Sequence, residues 1–409
     1  MSLNETPRGS RVHIALFGKR NAGKSSIINA ITNQQLSIVS EVKGTTTDPV
    51  YKSIEILPIG PCVVIDTAGI DDLGALGELR VKKTFEVLDK TDVALLIIDS
   101  EAGVSEEDLA TFNRIKEKKI PCIVVLNKCD IRALEEAELQ RLKDTFKSPV
   151  AKASAATKAG IDALKKEIIA LLPEDEDKFK IVGDLIKPGD FVVLVTPIDK
   201  AAPKGRLILP QQQTIRDILE SDAIAIVTKE FELKETLENL GKKPSLVITD
   251  SQVFLKVAAD TPKDIPLTSF SILFARYKGD LVELVKGAKA IDKLKDGDKV
   301  LIAEGCTHHR QSDDIATVKI PRWIRQKTGK QIEFEYSSGA TFTEDVRKYA
   351  LIVHCGGCML NAAAMRSRLE SAKEFDVPIV NYGILIAYVQ GILDRVLEPF
   401  PLAKLIWQE

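Results

Sequence analysis

The sequence predicts an α/β chain with mainly parallel sheets, arranged as three units in tandem. Three observations predict it. Short continuous apolar runs alternate with amphipathic stretches from residue 11 onward, the pattern of parallel strands covered on both faces by crossover helices. At 409 residues the chain exceeds what one ordinary core organises. A charged stretch carrying Pro and Gly, LPEDEDKFKIVGDLIKPGD at 172–190, reads as a linker. The expected domains are 8–174, 184–262 and 264–409.

In the first unit, VHIALFG, CVVID, VALLIID, CIVVLN and SPVAKAS read as buried strands. VYKSIEIL alternates apolar and polar residues, as an edge strand does. Helices are expected at 24–32, 78–89, 105–118 and 160–172. In the second, FVVLVTPID, GRLILP, AIAIVT and SLVITD read as strands, with helices at 210–221, 230–240 and 251–259. Gln211, Gln212 and Gln213 read as a polar helix start. In the third, KVLIAEG, IEFEY, ALIVHC and PIVNYG read as strands. Helices are expected there at 268–277, 280–294, 313–328, 343–349, 359–375 and 384–398.

Composition removes several classes of function. Basic and acidic residues number 57 and 59, closely interspersed, for a net charge of −2. A nucleic-acid footprint needs a basic patch or stripe, so no nucleic-acid partner is expected. No apolar run approaches the ~20 residues that span a bilayer, and no apolar leader precedes the first strand. The expectation is a cytoplasmic chain without a membrane partner. Six cysteines are too sparse for a secreted disulfide framework.

Gly18-Lys19-Arg20-Asn21-Ala22-Gly23-Lys24-Ser25 fits G-x-x-x-x-G-K-[ST] between a strand and a helix. Glycines let backbone N–H groups of Gly18, Asn21, Ala22, Gly23 and Ser26 wrap phosphates. Lys24 neutralises the β- and γ-oxygens, and the Ser25 hydroxyl binds Mg²⁺. Asp66-Thr67-Ala68-Gly69 ends a strand, where the carboxylate holds Mg²⁺ through water and the Gly69 amide senses the γ-phosphate. Asn127-Lys128-Cys129-Asp130 ends another. Its Asp accepts two hydrogen bonds from a guanine edge, a pattern adenine cannot supply. Ser154-Ala155 offers a backbone amide to the guanine oxygen. The order predicts a P-loop GTPase domain that uses GTP and Mg²⁺. Ile70 stands where a water-orienting Gln is common, and an apolar side chain orients no water. In GTTTD (44–48), Thr46 is the candidate switch ligand to Mg²⁺, with Thr45 and Thr47 as neighbours.

Three cysteines and three of the four histidines gather late in the chain, in CTHH (306–309) and HCGGC (354–358). Both segments follow apolar strands. If the strands are parallel neighbours, Cys306 and His308 meet His354, Cys355 and Cys358 at one sheet edge, where α/β sheets build sites. Three thiolates with nearby imidazoles suit structural zinc or an iron–sulfur cluster. The two glycines and the expected helix start favour an anionic guest that accepts backbone N–H groups. The Cys-x-x-Cys also admits a redox dithiol, which leaves Cys306 and the histidines unexplained.

Through GKRNAGKSS, GTTTD and DTAGI, the first unit resembles the potassium-dependent GTPases related to the tRNA-modifying enzyme MnmE. That resemblance implies that Asn21 helps bind K⁺, which acts where an arginine finger would. Cys-x-His followed at a distance by His-Cys-x-x-Cys, behind a GTPase unit, resembles the HydF family of [FeFe]-hydrogenase maturation GTPases across the whole chain. The resemblance implies a middle domain for dimerisation, with a homodimer or higher homo-oligomer. It implies a [4Fe–4S] cluster on Cys306, Cys355 and Cys358, with His308 or His354 at the fourth position or supporting it. It implies a scaffold that carries a diiron precursor to apo-[FeFe]-hydrogenase, with the radical-SAM maturases HydE and HydG as partners. The other reading is an RNA-modification or ribosome-associated GTPase with structural zinc.

Overall fold

The computed structural model describes residues 9, 11–32, 49–56, 59–71, 75–132, 135–172, 180–198, 207–305, 314–339, 342–343 and 345–409. Thr45, Thr46 and Thr47, like Cys306, His308 and His309, lie outside them. Contacts divide the chain into two compact units, 1–178 and 179–409. No described helix is long and apolar enough to cross a membrane.

The first unit runs β1 (Val12–Phe17), α1 (Lys24–Thr32), β2 (Val50–Ile56), β3 (Gly60–Asp66), α2 (Ala75–Glu86), β4 (Val93–Asp99), α3 (Glu106–Glu117), β5 (Cys122–Asn127), α4 (Glu136–Phe146), β6 (Val150–Lys152) and α5 (Ile161–Leu171). Its strands order as β2-β3-β1-β4-β5-β6, parallel except for β2, which pairs antiparallel with β3 at the edge. β1, β4 and β5 are apolar throughout their centres because both faces are covered. One core cluster includes Ile14, Leu16, Ile27, Leu95 and Leu164. The other includes Phe17, Val63, Leu96, Phe112 and Phe146. Strand order reverses at β1, so the crevice above its carboxyl end is where this topology binds ligands.

The second unit runs β7 (Phe191–Val195), α6 (Leu209–Glu220), β8 (Ile224–Thr228), α7 (Leu233–Asn239), β9 (Leu246–Thr249), α8 (Phe254–Asp260), β10 (Leu267–Ser269), α9 (Phe270–Lys278), α10 (Leu281–Lys289), β11 (Lys299–Glu304), α11 (Ile320–Thr328), β12 (Glu333–Ser338), β13 (Leu351–His354), α12 (Ala362–Glu374), β14 (Ile379–Asn381), α13 (Tyr382–Val389), α14 (Leu393–Val396) and α15 (Pro401–Gln408). It holds two four-stranded parallel sheets, ordered β10-β9-β7-β8 and β12-β11-β13-β14. A single apolar core joins them, with Phe254, Phe274, Leu284, Ile302 and Leu385 among its members. The second sheet reverses its order between β11 and β13, which pair directly with Ala303 opposite His354.

Several elements differ from the sequence reading, each for a local reason. Within GRLILP, Leu209 and Pro210 open α6 instead of ending a strand. Proline suits a first helical turn, where no N–H is needed, and would interrupt a ladder. Gln211 closes that start by accepting from the Ile208 N–H at 3.2 Å. The helix expected from 268 starts later, after β10, because Ser269 caps it by accepting from the Ile272 N–H. The helix expected at 280–294 ends at Lys289 and is followed by a 3₁₀ turn at Ile291–Lys293. The one expected at 343–349 is only a 3₁₀ turn, Val346–Lys348. Over 313–328, a π-turn at Ile315–Lys319 precedes α11, with Asp314 Oδ2 accepting from the Thr317 N–H. The helix expected at 384–398 is interrupted by Gly391 at φ 72°. The helix expected from 359 begins at Ala362 under an Asn361 cap. Cys358 therefore lies in the preceding turn, not on the helix.

Candidate functional site

The nucleotide residues gather at the carboxyl edge of the six-stranded sheet. After β1, Gly18 (φ 144°) passes so close to β4 that a Cβ there would meet the Ile97 carbonyl oxygen at 2.2 Å. At Gly23 (φ 91°) a Cβ would meet the Asn127 side-chain nitrogen at 2.2 Å. Both positions require glycine. Lys24 is buried, and its ammonium donates to the carbonyls of Gly18 and Lys19 at 2.8 Å each. The Ser25 hydroxyl donates to Asp66 Oδ2 at 2.5 Å, so the two residues expected at Mg²⁺ already meet. Burial pushes the Asp66 carboxyl up, partly offset by Ser25 and Lys24. Ala22 is buried, whereas Asn21, at a left-handed φ of 63°, and Ser26 are exposed. Ile70, following Gly69, is buried and ties to the P-loop through its N–H to the Gly18 carbonyl, 3.4 Å away.

Asn127 acts as a strap. Its amide nitrogen donates to the Ala22 carbonyl at 2.9 Å, and its oxygen accepts from the Ala155 N–H at 3.2 Å. One side chain thus joins the phosphate loop to the loop expected at the base. Lys128, at φ 63°, donates to Asp99 Oδ2 at 2.5 Å. Burial raises the Asp99 carboxyl, but Lys128 and neighbouring backbone N–H groups outweigh it and hold the group below its ordinary range. Asp130 is exposed, and Ser154 is fully buried with its Oγ accepting from the Thr157 N–H. The sequence reading missed Asp99 and Asp71, whose Oδ1 accepts from the Arg20 N–H at 2.7 Å. Asp99 carried a usable signal. Like Asp66, it ends an apolar strand on a carboxylate, and it lies opposite Asn127 in register.

The cysteine segment emerges at the switch between β11 and β13, as the parallel-neighbour condition required. Cys355 and Cys358 are free, partly buried thiols. Cys355 Sγ accepts from the N–H of Gly305 at 3.1 Å and of Gly357 at 3.4 Å. Gly357 has φ 61°, which turns its N–H back toward that sulfur. Burial pushes the Cys355 thiol up to about 11, against the pull of these two N–H groups. Among the described residues, no group of three or more His, Cys, Asp or Glu forms a metal site. The expected set includes Cys306 and His308, which lie outside those residues.

His354 is expected at the fourth position or supporting it, and its contacts are those of a supporting group. It is fully buried; its Nδ1–H donates to the Cys355 carbonyl at 2.7 Å, and its Nε2 accepts from Arg368 at 2.8 Å. Nδ1 carries its proton and the one ring lone pair, on Nε2, is taken by Arg368, so none faces a guest. Burial first, and the Arg368 guanidinium second, push its pKa down to about 3, which keeps the ring neutral. Arg368 in turn donates to the Gly339 carbonyl at 3.0 Å. Lys278, at the end of α9, is also buried and bonds the backbone of the cysteine turn. Neither Arg368 nor Lys278 carried a sequence signal, since each is one basic residue within a helix.

Comparison with known proteins places these units. The family model "50S ribosome-binding GTPase" matches residues 13–128. GTPase Der of a Nitratiruptor species is 37% identical over 177 residues, covering 40% of this chain and 38% of its own length. The tRNA modification GTPase MnmE of Nitrosomonas europaea is 34% identical over 159 residues, covering 39% of this chain and 34% of its own. The chain therefore spans well under half the length of these curated relatives. A crystal structure of Aquifex aeolicus Era bound to GDP and AlF4⁻ is 23% identical, covering 53% of this chain and 93% of that one, with a TM-score of 0.36. The model "Hydrogen maturase F dimerization domain" matches residues 181–279, and "Hydrogen maturase F tetramerization domain" matches 282–399. A GTPase domain followed by both of these domains, in this order, makes the chain a member of the hydrogen maturase F family.

Proposed function

We propose that this chain is a cytoplasmic GTP-hydrolysing scaffold. It holds a [4Fe–4S] cluster on Cys306, Cys355 and Cys358, accepts a diiron precursor made with HydE and HydG, and delivers it to apo-[FeFe]-hydrogenase. The observation that carries this reading is Cys355 Sγ between the N–H groups of Gly305 and Gly357. Gly305 is covalently next to Cys306. A thiolate fed by backbone N–H groups, at the switch point of a parallel sheet, suits an anionic iron–sulfur guest. The donor chemistry fits: soft sulfur ligands, with His354 engaged elsewhere. When bound, the cluster would offer one iron lacking a cysteine, where an anionic ligand of the diiron precursor can bridge. Anaerobic reconstitution of the full chain with iron and sulfide should give a reducible [4Fe–4S] EPR signal. A colourless protein with one tightly held zinc would refute the reading.

In the first unit, Lys24 and the P-loop amides hold the phosphates, while Ser25, Asp66 and Thr46 serve Mg²⁺. Asp130 selects guanine. Buried Ile70 orients no water, so another group must serve hydrolysis, and the resemblance to potassium-dependent GTPases points to a cation beside the exposed Asn21. GTP hydrolysis should be at least about tenfold faster in K⁺ than in Na⁺, a modest share of the 10³–10⁵ that an arginine finger supplies. Asn21→Ala should erase the difference. Equal rates of the unaltered chain in both salts would refute the potassium role.

β8 supports a homo-oligomer. Among the described residues it is an edge strand, and Ile224 and Val227 on it are 44% and 46% exposed. An unpaired apolar edge is a template for a second copy, and lysine blocks such pairing. Val227→Lys should lower the mass measured by light scattering to that of a smaller assembly. An unchanged mass would exclude this seam.

A further inference from the structure

Lys278 is a buried ammonium, 3% exposed, whose bonds all run to the backbone of the cysteine turn. It donates to the carbonyls of Gly357 at 3.2 Å, Cys358 at 3.0 Å and Leu360 at 2.7 Å. An ammonium has three donors, and three acceptors from one turn use all of them. The Phe274 ring lies 5.5 Å from the same nitrogen. Every one of these partners is neutral. A buried charge without a counter-charge is costly. The groups at hand that can balance it are Cys355 and Cys358, once a guest holds them as thiolates; their backbone turn already bonds this ammonium. The turn also needs an outside brace. It lies between β13 and α12, belongs to neither, and carries Cys358.

We propose that Lys278 is the positioning residue and resident counter-cation of the cysteine site. It clamps the 357–360 turn so that Cys358 is presented beside Cys355, and it supplies the positive charge against which a thiolate-bound anionic guest is held. The proposal rests on the cluster reading above. Three thiolates outweigh the charge of an oxidised [4Fe–4S] core, and reduction adds another negative charge. A fixed cation nearby therefore favours both retention of the cluster and its reduction. The clamp and the charge are separable by substitution. Lys278→Gln keeps donors without charge; Lys278→Arg keeps charge with a different fork; Lys278→Met removes both.

The test uses the full chain, reconstituted anaerobically with iron and sulfide. Its readouts are the midpoint potential by EPR-monitored titration and the rate of iron loss to a chelator. Lys278→Met and Lys278→Gln should both have potentials more negative by on the order of 59 mV, the tenfold equivalent for a one-electron couple. Lys278→Arg should stay near the unaltered chain. Iron loss should be about tenfold faster in Lys278→Met and intermediate in Lys278→Gln. Potentials and iron-loss rates that match the unaltered chain in Lys278→Met and Lys278→Gln would overturn the proposal and leave the cluster reading intact. If Lys278→Met fails to fold by circular dichroism, Lys278→Gln against Lys278→Arg decides the charge role through the potential alone. Absence of any cluster in the unaltered chain would refute the cluster reading itself.

Discussion

Cys355→Ser should lose the reducible cluster signal and most bound iron while GTP binding stays unchanged. A thiolate is a soft ligand that iron retains, whereas a serine hydroxyl is hard and stays protonated at neutral pH. The fold should survive. A serine oxygen can still accept from the N–H groups of Gly305 and Gly357, so those backbone donors keep a partner. The cost to stability of the metal-free protein should be about 1 kcal/mol, the scale of one altered hydrogen bond. The nucleotide residues lie in the other compact unit and form their own site. Cys122→Ser is the contrasting control. That thiol sits in β5, where burial pushes its pKa up to about 12, and it has no part in the site. Its replacement should lower stability by about 1–3 kcal/mol, the cost of burying a hydroxyl, and leave the cluster in place. Iron content and EPR amplitude of the two variants, measured side by side, decide the matter. A full signal from Cys355→Ser would remove it from the ligand set.

Asn127→Ala should weaken GDP affinity by on the order of 30- to 20,000-fold. The side chain satisfies the Ala22 carbonyl and the Ala155 N–H at once. Leaving either unpaired costs about 1–3 kcal/mol, so the pair costs about 2–6 kcal/mol. Each 1.4 kcal/mol is tenfold in a dissociation constant. The loss is mechanical, because removing the strap releases the phosphate loop from the base loop. Titration calorimetry with GDP provides the measurement. An affinity within about threefold of the unaltered chain would show that the two loops hold their places unaided. Asp130→Asn serves as the comparison: it should lower affinity for guanine nucleotides while leaving the strap intact.

Most of the fold was legible because its signals are local. Buried parallel strands such as VALLIID and CIVVLN are apolar at every turn of the pleat, and the phosphate loop places glycine where only glycine fits. Element ends were less legible. Caps such as Ser269 and Asn361 decide them, and a cap is recognisable only when the chain before it has already stopped being a helix. That uncertainty moved Cys358 from a helix start to a turn, which changed what could hold it.

By itself the sequence determined the nucleotide chemistry and pointed to the cysteine set, since both readings depend on residue type and order along a strand–loop–helix path. The tertiary structure decided which groups are already engaged. His354 reads in HCGGC as a ligand or a supporting group, and only the structure puts Arg368 and the Cys355 carbonyl on its two nitrogens. Asn127 reads as part of a base-recognition motif, yet it straps two loops whose residues stand 105 and 28 positions away. Lys278 carried no signal in the sequence, yet it bonds a turn 80 positions downstream. The physical reason is common to all three. A hydrogen bond or a buried charge between distant segments is fixed only when packing brings them together, and no local pattern along the chain records that distance.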